Sequence, residues 1–390
     1  MRAHYPCCLV LGDSSPYFVE LCQSLRFSTH CNYLIISPIS PFDLSPYVYV
    51  DWQDSSSFSF STLPDDEDIF CIHCFGDYIE FGSFQSSASL MTFISKNMEA
   101  LRERKQYNDR RANEFLLTAR ESFLERYISF IKMKKDEIFH GSNFTELNLD
   151  LMVDFEGVVS FVGGTVVCHL DNSIRLVNSA LHNILRIPDF LAETDYTLKN
   201  NLISLKISVN PDDGMLNVDV GVNKFKPYWS MYRASGINMP LILVQNLLKR
   251  KIYTTYFVNP EEIKFDSIAM TSCYIGSYDI IYIDLDETLI WKEIPLEYTI
   301  NFLSSQKRYK RPIKLITRHK LPISETLQRI GLSEDYFDEI IRVLPHEKKS
   351  SFIEGNALFI DNEFPERLDV RVNCNIPVFD VDQLDFLMPF

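Results

Sequence analysis

An Asp-Leu-Asp motif in the last third of the chain could bind a metal ion and perform acid–base chemistry. Asp284 and Asp286 follow residues 278–283, a mostly apolar run that is rich in isoleucine. Such a run is typical of a buried parallel strand, and open α/β sheets bind ligands where their strands end. Side chains alternate along an extended chain, so Asp284 and Asp286 project to the same side. A phosphate monoester repels a carboxylate nucleophile, and Mg²⁺ offsets that repulsion.

Three further groups of polar residues follow in the order that such a site requires. Thr317 ends a second apolar run, Lys348 and Lys349 precede a short predicted helix, and Asp361 and Asn362 end a third apolar run. Each group alone has an ordinary explanation, because a threonine at a strand end is usually structural and paired lysines are usually solvated. The ordered set is far more specific and predicts one phosphoryl-transfer site.

From Tyr278 to its end, the chain resembles the haloacid dehalogenase (HAD) superfamily of Mg²⁺-dependent phosphohydrolases, because these groups match its four motifs in order. The resemblance implies a Rossmannoid domain in which Asp284 is the nucleophile, forming an aspartyl-phosphate. Asp286 would be the general acid and then the base. The remaining roles would be phosphoryl binding by Thr317, charge neutralisation by Lys349 or Lys348, and Mg²⁺ binding by Asp284, the carbonyl of Asp286, Asp361 and Asn362.

Asn362 departs from the superfamily pattern, since many relatives have aspartate there, although the asparagine carbonyl can still coordinate a metal ion. Protein phosphatases of the polymerase-tail type have Asp-Asn in this motif, and 284–289 also resembles them, but the rest of the chain does not. The segments 315–319, 337–341 and 376–382 resemble bacterial proteins in which a HAD domain follows an ATP-grasp-like region. Such fusions resemble products of polysaccharide loci.

The spacing of the motifs leaves no room for a cap domain. The stretches 287–316 and 318–348 are both shorter than a typical domain. An uncapped site is open, and it suits a large substrate or one whose lid comes from another domain or subunit.

Residues 1–255 resemble an ATP-grasp protein that has lost its nucleotide site. Gly221 stands where the metal-binding glutamate of the last strand belongs, and only Asn223 remains of that pair. Asn108 and Asp109 stand where the resemblance places an Asp-Lys pair, and the glycine-rich phosphate loop is missing. Acyl-phosphate formation needs the phosphates held by metal and lysine. We therefore expect a degenerate scaffold, against the alternatives of an active ligase or an unrelated fold.

These patterns predict an α/β protein with four parts. Residues 1–85 alternate strands with helices, as a parallel pre-ATP-grasp-like α/β lobe does, and a third strand is expected at 47–50, ended by Asp51. Residues 86–255 predict a degenerate ATP-grasp-like α+β region with a hairpin turn at 212–214. Residues 256–277 predict a connector, and 278–390 the HAD-like domain with a parallel sheet and no sizeable cap.

Composition narrows the possible partners and the compartment. The net charge of −15 and the pI of about 5.0 argue against nucleic acid or an anionic membrane as the main partner. Nine cysteines without a disulfide framework, including the lone Cys71–Cys74 pair, predict buried, reduced thiols. We find no signal-peptide pattern and no apolar run of about 18–20 residues, which a membrane span needs. A cytoplasmic protein is expected.

Three functions remain open from the sequence. The first is a Mg²⁺-dependent phosphatase that acts on a phosphorylated metabolite, such as a sugar phosphate or a nucleotide-linked compound, with the N-terminal region recognising the substrate. The second is a sugar- or nucleotide-binding adaptor without catalysis. The third is an ATP-grasp ligase with an accessory phosphatase domain, which Gly221 opposes. The complete motif set favours the first, because loss of function should remove such residues early.

Overall fold

Three five-stranded sheets and two short two-stranded ribbons make up the β-structure of the described residues. The computed structural model of the 390-residue chain describes residues 7–12, 15–25, 32–37, 50–54, 69–75, 78–84, 89–92, 123–139, 144–168, 173–186, 200–210, 214–223, 226, 228–267, 270–273, 275–291 and 294–387. The protein is thus mixed α/β, with parallel and antiparallel sheets. Across these ranges, we find no helix long and apolar enough to cross a membrane.

The first sheet is parallel except at one edge. Its elements are β1 (Cys7–Gly12), α1 (Pro16–Leu25), β2 (Asn32–Ser37), β3 (Val50–Asp54), β4 (Ile69–Phe75) and β5 (Tyr78–Phe84). The strand order is β3-β2-β1-β4-β5, and only β5 runs antiparallel to its neighbour. Asp51 does not end the third strand as expected, because it pairs with Leu34 inside the ladder. A polar residue is readily accepted there, since β3 is an edge strand. Residues 47–49 lie outside the described residues.

The second sheet is antiparallel and begins after two helices. Its elements are α2 (Phe123–Met133), α3 (Lys135–Phe139), β6 (Phe144–Val153), β7 (Val159–Cys168), β8 (Ile174–Leu176), α4 (Ser179–Leu185), β9 (Asn201–Val209) and β10 (Leu216–Val222). The order is β10-β9-β6-β7-β8. Leu147, Leu149 and Leu151 on β6 pack with Tyr127 and Ile131 of α2. The helices therefore cover one face of this sheet. The predicted turn residues 212–213, and Asn108 and Asp109, lie outside the described residues.

Two buried helices connect the second sheet to the rest of the molecule. They are α5 (Trp229–Ser235) and α6 (Met239–Leu247), and the ribbon β11 (Ile263–Ser267) and β12 (Met270–Cys273) follows them. All residues of α5 are buried. Asn238 caps α6, since its side chain accepts a hydrogen bond from the Leu241 amide. Apolar residues of the first sheet, α5, α6 and one face of the last sheet form one contiguous core.

The third sheet is entirely parallel. Its elements are β13 (Ile280–Ile283), the ribbon β14 (Ile290–Trp291) and β15 (Ile294–Pro295), α7 (Glu297–Arg308), β16 (Ile313–Thr317), α8 (Ile323–Arg329), β17 (Glu339–Arg342), β18 (Ala357–Ile360), α9 (Phe364–Cys374) and β19 (Val378–Phe379). The order is β17-β16-β13-β18-β19. Between β13 and β18, the described residues form one short ribbon, two α-helices, the two strands β16 and β17, and short 3₁₀ turns, so they contain no cap domain.

A C-terminal 3₁₀ segment, Val381–Leu387, ties the three parts of the chain together. Arg233 of α5 donates to the Asp382 carbonyl at 2.8 Å and pairs with Asp385 at 3.2 Å. Asn238 donates to the Asp382 carboxylate at 2.5 Å and to the carbonyl of Ser24 in α1 at 2.7 Å. Buried polar contacts of this kind fix the relative position of the elements they join.

Candidate functional site

The predicted site residues lie at the carboxyl ends of three adjacent strands. From β13 the chain builds the sheet outward through β16 and β17, then returns to add β18 and β19 on the other side of β13. The carboxyl ends of β13 and β18 therefore flank the point where the strand order reverses. Open α/β sheets leave a ligand-binding crevice at that point.

A buried lysine joins the two carboxylates at this crevice. Lys349 Nζ lies 2.8 Å from Asp284 Oδ1 and 2.6 Å from Asp361 Oδ2. Asp284, Lys349 and Asp361 are only 6%, 3% and 0% exposed. Lys349 begins a short 3₁₀ turn, Lys349–Phe352, just before β18, which places its ammonium between the two strand ends. We call these three residues the charged triad.

The charged triad carries more negative than positive charge in a buried place. Burial raises the pKa of Asp284 to about 7, with Asp361 raising it further and Lys349 lowering it. Burial alone lowers the pKa of Lys349, but the Asp361 and Asp284 carboxylates raise it above its ordinary value. Lys349 therefore carries a positive charge at neutral pH. One ammonium between two carboxylates leaves the triad short of positive charge.

Asp361 is held from several sides. The Glu363 amide donates to its Oδ1 at 2.8 Å, and Arg367 Nη1 donates to its carbonyl at 2.6 Å. Arg367 also pairs with Asp380 at 2.7 Å, where β19 ends. The carboxylate of Asp361 therefore has one orientation, set by the start of α9 and by the neighbouring strand.

A tight turn presents Asp286 beside Asp284. Glu287 has a φ of 55°, and its amide donates to the Ile290 carbonyl at 2.7 Å, so the chain reverses directly after Asp286. Asp286 is half exposed, whereas Asp284 is buried. The two carboxylates of the motif thus differ in their access to solvent.

His319 touches Asp286, a contact that the sequence did not predict. Its Nδ1 lies 2.8 Å from Asp286 Oδ1, and its Nε2 lies 2.9 Å from Thr326 Oγ1. Thr326 Oγ1 also lies 3.2 Å from the Pro322 carbonyl. His319 therefore joins Asp286, in the turn after β13, to Thr326 of α8.

Thr317 and Asn362 occupy the neighbouring strand ends. Thr317 is 1% exposed, and its Oγ1 accepts from the His319 amide at 3.1 Å. The Asn362 amide donates to Thr288 Oγ1 at 3.1 Å, and Thr288 donates to Asn362 Oδ1 at 3.2 Å. Asn362 Nδ2 also contacts Glu287. Asn362 therefore joins the loop after β18 to the loop after β13.

Lys348 lies outside the cluster. Its side chain is 67% exposed and pairs with Asp369 on α9 at 2.6 Å, whereas Lys349 enters the charged triad. The expectation that included Lys348 as an alternative is corrected on this point. The sequence also gave no role to His319, Thr288 or Arg367. His319 follows Thr317 by two residues and Thr288 follows Asp286 by two, so motif proximity was the only available signal.

The donor set fits Mg²⁺. In the part of the chain that the structure describes, no group of three or more His, Cys, Asp or Glu side chains is gathered at one point for a metal ion. The resemblance instead assigns the metal ion to the Asp284 and Asp361 carboxylates, the Asp286 backbone carbonyl and the side-chain carbonyl of Asn362, which accepts a hydrogen bond from Thr288. All of these donors are oxygens, which a hard divalent cation prefers, and the excess negative charge of the triad favours a cation.

The remaining ATP-grasp candidate residue has a structural role. Asn223 is 3% exposed, and its Oδ1 accepts from the Leu202 amide at 2.8 Å. Its Nδ2 donates to Asn201 Oδ1 at 3.2 Å, and its carbonyl accepts from the Ile79 amide of the first sheet at 2.8 Å. Asn223 therefore ties two sheets together, and Gly221 lies two residues earlier in β10.

Comparisons with known proteins leave the family open. No protein-family model matches the chain, and neither does any curated protein. The solved structures that resemble it include the phosphoribosylaminoimidazole carboxylase ATPase subunit of Aquifex aeolicus (11% identity, TM-score 0.30, 65% of this chain and 79% of that one). The urea carboxylase of Kluyveromyces lactis also matches (10% identity, TM-score 0.30), but over only 24% of its length. These neighbours are ATP-grasp family enzymes, the family that residues 1–255 resemble, yet the likeness is too loose to bear on function.

Proposed function

We propose that the chain is a Mg²⁺-dependent phosphohydrolase of the HAD type that acts through an aspartyl-phosphate on a phosphorylated metabolite. The observation that carries this proposal is the charged triad of Asp284, Lys349 and Asp361, joined by Lys349 contacts of 2.8 Å and 2.6 Å. Its position at the reversal of strand order supports the proposal, because ligands of α/β sheets bind there.

In the first step, Asp284 attacks the phosphorus atom of the substrate. Its carboxylate oxygen forms a new P–O bond, and the bond from phosphorus to the substrate oxygen breaks. Asp286, acting as the general acid, gives its proton to the departing oxygen, which leaves as an alcohol. His319, 2.8 Å from Asp286, orients that carboxyl group. Lys349 lies beside Asp284 and offsets the negative charge of the phosphoryl oxygens. Thr317 would donate its hydroxyl proton in a hydrogen bond to one of those oxygens.

In the second step, water cleaves the aspartyl-phosphate. Asp286, now without its proton, takes a proton from the attacking water, and inorganic phosphate leaves with Asp284 restored. Mg²⁺, held by Asp284, the Asp286 carbonyl, Asp361 and Asn362, would supply positive charge that reduces repulsion between carboxylate and phosphate. The oxygens of Asp361 are already fixed by Glu363 and Lys349, so little ordering is required when substrate binds.

The adaptor and ligase alternatives receive less support. A binding adaptor does not need a buried carboxylate such as Asp284, and an ionisable group is costly to keep buried. An ATP-grasp ligase needs a metal-binding glutamate on its last strand, where this chain has Gly221 in β10, which offers no side-chain ligand.

The proposal is tested with Asp361→Ala and a generic aryl phosphate. Wild type should hydrolyse it in Mg²⁺ and lose activity in a chelator, and Asp361→Ala should be inactive at every Mg²⁺ concentration. Asp369→Ala serves as the matched control, because Asp369 is an aspartate of the same domain that pairs with Lys348 and not with Lys349. Full activity of Asp361→Ala would refute the assignment.

A further inference from the structure

The backbone of Asp361 is held by the neighbouring strand and by a buried arginine. The Asp361 amide donates to the Phe379 carbonyl at 3.1 Å, and its carbonyl accepts from Arg367 Nη1 at 2.6 Å. The same nitrogen of Arg367 lies 2.7 Å from Asp380 Oδ2. A guanidinium NH₂ group has two hydrogens, so it can serve both oxygens. Arg367 therefore joins the residue after β18 to the residue after β19.

A fully buried glutamine anchors Asp380 to the N-terminal region. The Asp380 amide donates to Gln383 Oε1 at 2.8 Å, and Gln383 Nε2 donates to the Ala234 carbonyl at 3.0 Å. Gln383 is 0% exposed, and Ala234 belongs to α5. The side-chain amide thus uses its acceptor on one part of the chain and its donor on another. Gln383 ties the end of β19 to α5.

A second contact joins α5 to Arg367. The Phe257 amide donates to the carbonyl of Ser235, the last residue of α5, at 2.8 Å. The Arg367 guanidinium lies over the buried Phe257 ring, 5.5 Å from its centroid. The guanidinium that holds the Asp361 carbonyl is therefore connected to α5 by two routes.

These contacts are buried, so they fix the geometry of the strand ends. A buried polar group that loses its partner costs about 1–3 kcal/mol, because water cannot replace the lost bond. A displacement of α5 would break such bonds unless the end of β19 and the Asp361 backbone moved with it. The position of Asp361 relative to Asp284 is therefore set partly by the N-terminal region.

The position of Asp361 matters for a magnesium ion in particular. Mg²⁺ demands near-ideal octahedral geometry, with oxygen ligands at about 2.0–2.1 Å. Groups that orient the ligands of a metal ion therefore control its affinity, and the loss of one such group typically costs about 10–100-fold.

We infer that Gln383 and Arg367 are positioning residues for the metal ion, through which α5 of the N-terminal region sets the geometry of the proposed Mg²⁺ site. The inference rests on the proposed phosphohydrolase function, which requires that ion. Both residues act through Asp361 and neither is a metal ligand. The N-terminal region then supports the metal site directly, in addition to the expected recognition of the substrate, and the two regions form one catalytic unit.

The test replaces Gln383 with methionine, which has a side chain of similar length and makes neither hydrogen bond. Gln306→Met is the matched control, because Gln306 is also a 0% exposed glutamine of the C-terminal domain. Its Oε1 accepts from the Tyr278 hydroxyl at 3.0 Å and from Arg311. Tyr278 and Arg311 precede β13 and β16, at the opposite edge of the sheet from Asp361.

Two properties are measured beside the melting temperature of each variant. The first is the Kd for Mn²⁺, which also takes octahedral oxygen ligands and is followed by the electron paramagnetic resonance signal of the free ion. The second is the Mg²⁺ concentration that gives half-maximal hydrolysis of an aryl phosphate. Metal affinity separates a positioning residue from a structural one, since the loss of buried hydrogen bonds should lower both melting temperatures.

Gln383→Met should raise both the Kd for Mn²⁺ and the half-maximal Mg²⁺ concentration about tenfold. Saturating Mg²⁺ should restore most of its kcat, because the charged triad remains. Gln306→Met should leave both metal constants unchanged. An unchanged Kd for Mn²⁺ in Gln383→Met, or an equal rise in both variants, would overturn the inference.

Arg367→Lys decides the question if Gln383→Met does not fold. Lysine keeps the positive charge but replaces the planar guanidinium with a compact ammonium, so it cannot reproduce the same contacts. Its control is Arg311→Lys, because the Arg311 guanidinium also lies over an aromatic ring, that of Tyr278, at 4.3 Å. The Kd for Mn²⁺ should rise about tenfold in Arg367→Lys and stay unchanged in Arg311→Lys. Equal values in the two variants would overturn the inference.

A failure of the proposed function remains distinguishable, because Mn²⁺ binding does not depend on turnover. If the wild type does not hydrolyse the aryl phosphate but Gln383→Met alone weakens Mn²⁺ binding, the phosphohydrolase assignment is wrong and the inference holds. If the wild type is active and the variants bind Mn²⁺ equally, the inference is wrong and the assignment holds. A wild type that binds no Mn²⁺ would overturn the inference.

Discussion

Two carboxylates in this molecule are fully buried, yet they lie in very different surroundings. Asp361 and Asp150 are both 0% exposed. Asp361 follows the last residue of a parallel strand and contacts an ammonium at 2.6 Å. Asp150 lies in the middle of β6 and accepts from Ser204 Oγ at 2.6 Å and from the Tyr232 hydroxyl at 3.0 Å.

The space around each carboxylate separates a candidate site from a structural one. A methyl group added at Gly163, which pairs with Asp150 across the sheet, would lie 2.6 Å from the Tyr256 hydroxyl and 2.9 Å from the Tyr232 ring. Side chains therefore already fill the space beside Asp150. Asn362 and Glu363, the two residues after Asp361, instead line a cavity of about 170 Å³. Burial of a carboxylate indicates function only where a second charge and open space accompany it.

Among the variants that test this comparison, Asp284→Asn should reduce phosphatase activity most. An amide is not a competent nucleophile, so hydrolysis of an aryl phosphate should fall below detection. Lys349 keeps its contact with Asp361, so the variant should fold. Steady-state assays with circular dichroism check both points. Turnover by the variant at the wild-type rate would show that Asp284 is not the nucleophile.

Lys349→Met should cause the second-largest loss of activity. Its kcat should fall by about 10²–10³-fold, as when an active site loses one donor that stabilises the transition-state charge. The substitution leaves Asp284 and Asp361 facing each other without the ammonium. Lys348→Met is the matched control, because Lys348 is 67% exposed and should change kcat by no more than about twofold. Similar losses in both variants would contradict the distinction between the two lysines.

His319→Ala should give a smaller loss, about fivefold, since one hydrogen bond contributes about 1 kcal/mol. The loss should be greater for alkyl phosphates than for aryl phosphates with good leaving groups, because only the former depend on proton delivery by Asp286. His319→Asn keeps an N–H near Asp286 and should recover part of the rate. If the rate falls equally for alkyl and aryl phosphates, His319 has only a structural role.

The smallest effect on activity is expected from Asp150→Asn. Burial raises the pKa of Asp150, partly offset by Lys226 and the hydrogen bonds from Ser204 and Tyr232. A raised folded-state pKa gives stability that is complete below the unfolded value of about 3.9 and is lost as pH rises through the folded value. Asparagine does not ionise, so the variant does not lose stability in this way as the pH rises. The difference in melting temperature, variant minus wild type, should therefore increase from pH 5 to pH 8.

Melting curves across this pH range, together with aryl phosphate assays, check the Asp150 prediction. The kcat of Asp150→Asn should equal that of wild type. A large fall in kcat would make Asp150 part of a site and remove the contrast with Asp361.

The sequence predicted most strands of the C-terminal sheet because their apolar runs are continuous. The strand Ile313–Thr317 ends at Thr317 as predicted, whereas Ala357–Ile360 ends just before Asp361 and Asn362, which were expected to end it. The edge strand at Val50–Asp54 was misplaced, because polar residues at an edge hide its pattern. The two-residue strand Val378–Phe379 is too short to show a period.

Within the site, spacing predicted which strand ends would meet, since parallel strands end at one edge. It could not choose between Lys348 and Lys349, because the local turn alone decides which ammonium points inward. The contacts of His319 with Asp286 and of Arg367 with Asp361 depend on tertiary packing, and a single sequence carries no periodic signal for them.

The central claim, that Asp284 carries the phosphoryl group, is tested most directly by trapping the intermediate. Asp286→Asn keeps the nucleophile but lacks the base that activates water, so rates should fall about 10²–10⁴-fold. The variant is incubated with Mg²⁺ and an aryl phosphate with a good leaving group, quenched in acid and analysed by peptide mass spectrometry. We predict an added phosphoryl group on the peptide containing Asp284, absent when Asp284 is also changed to Asn. A phosphoryl group on another peptide, or retained with Asp284→Asn, would contradict the account.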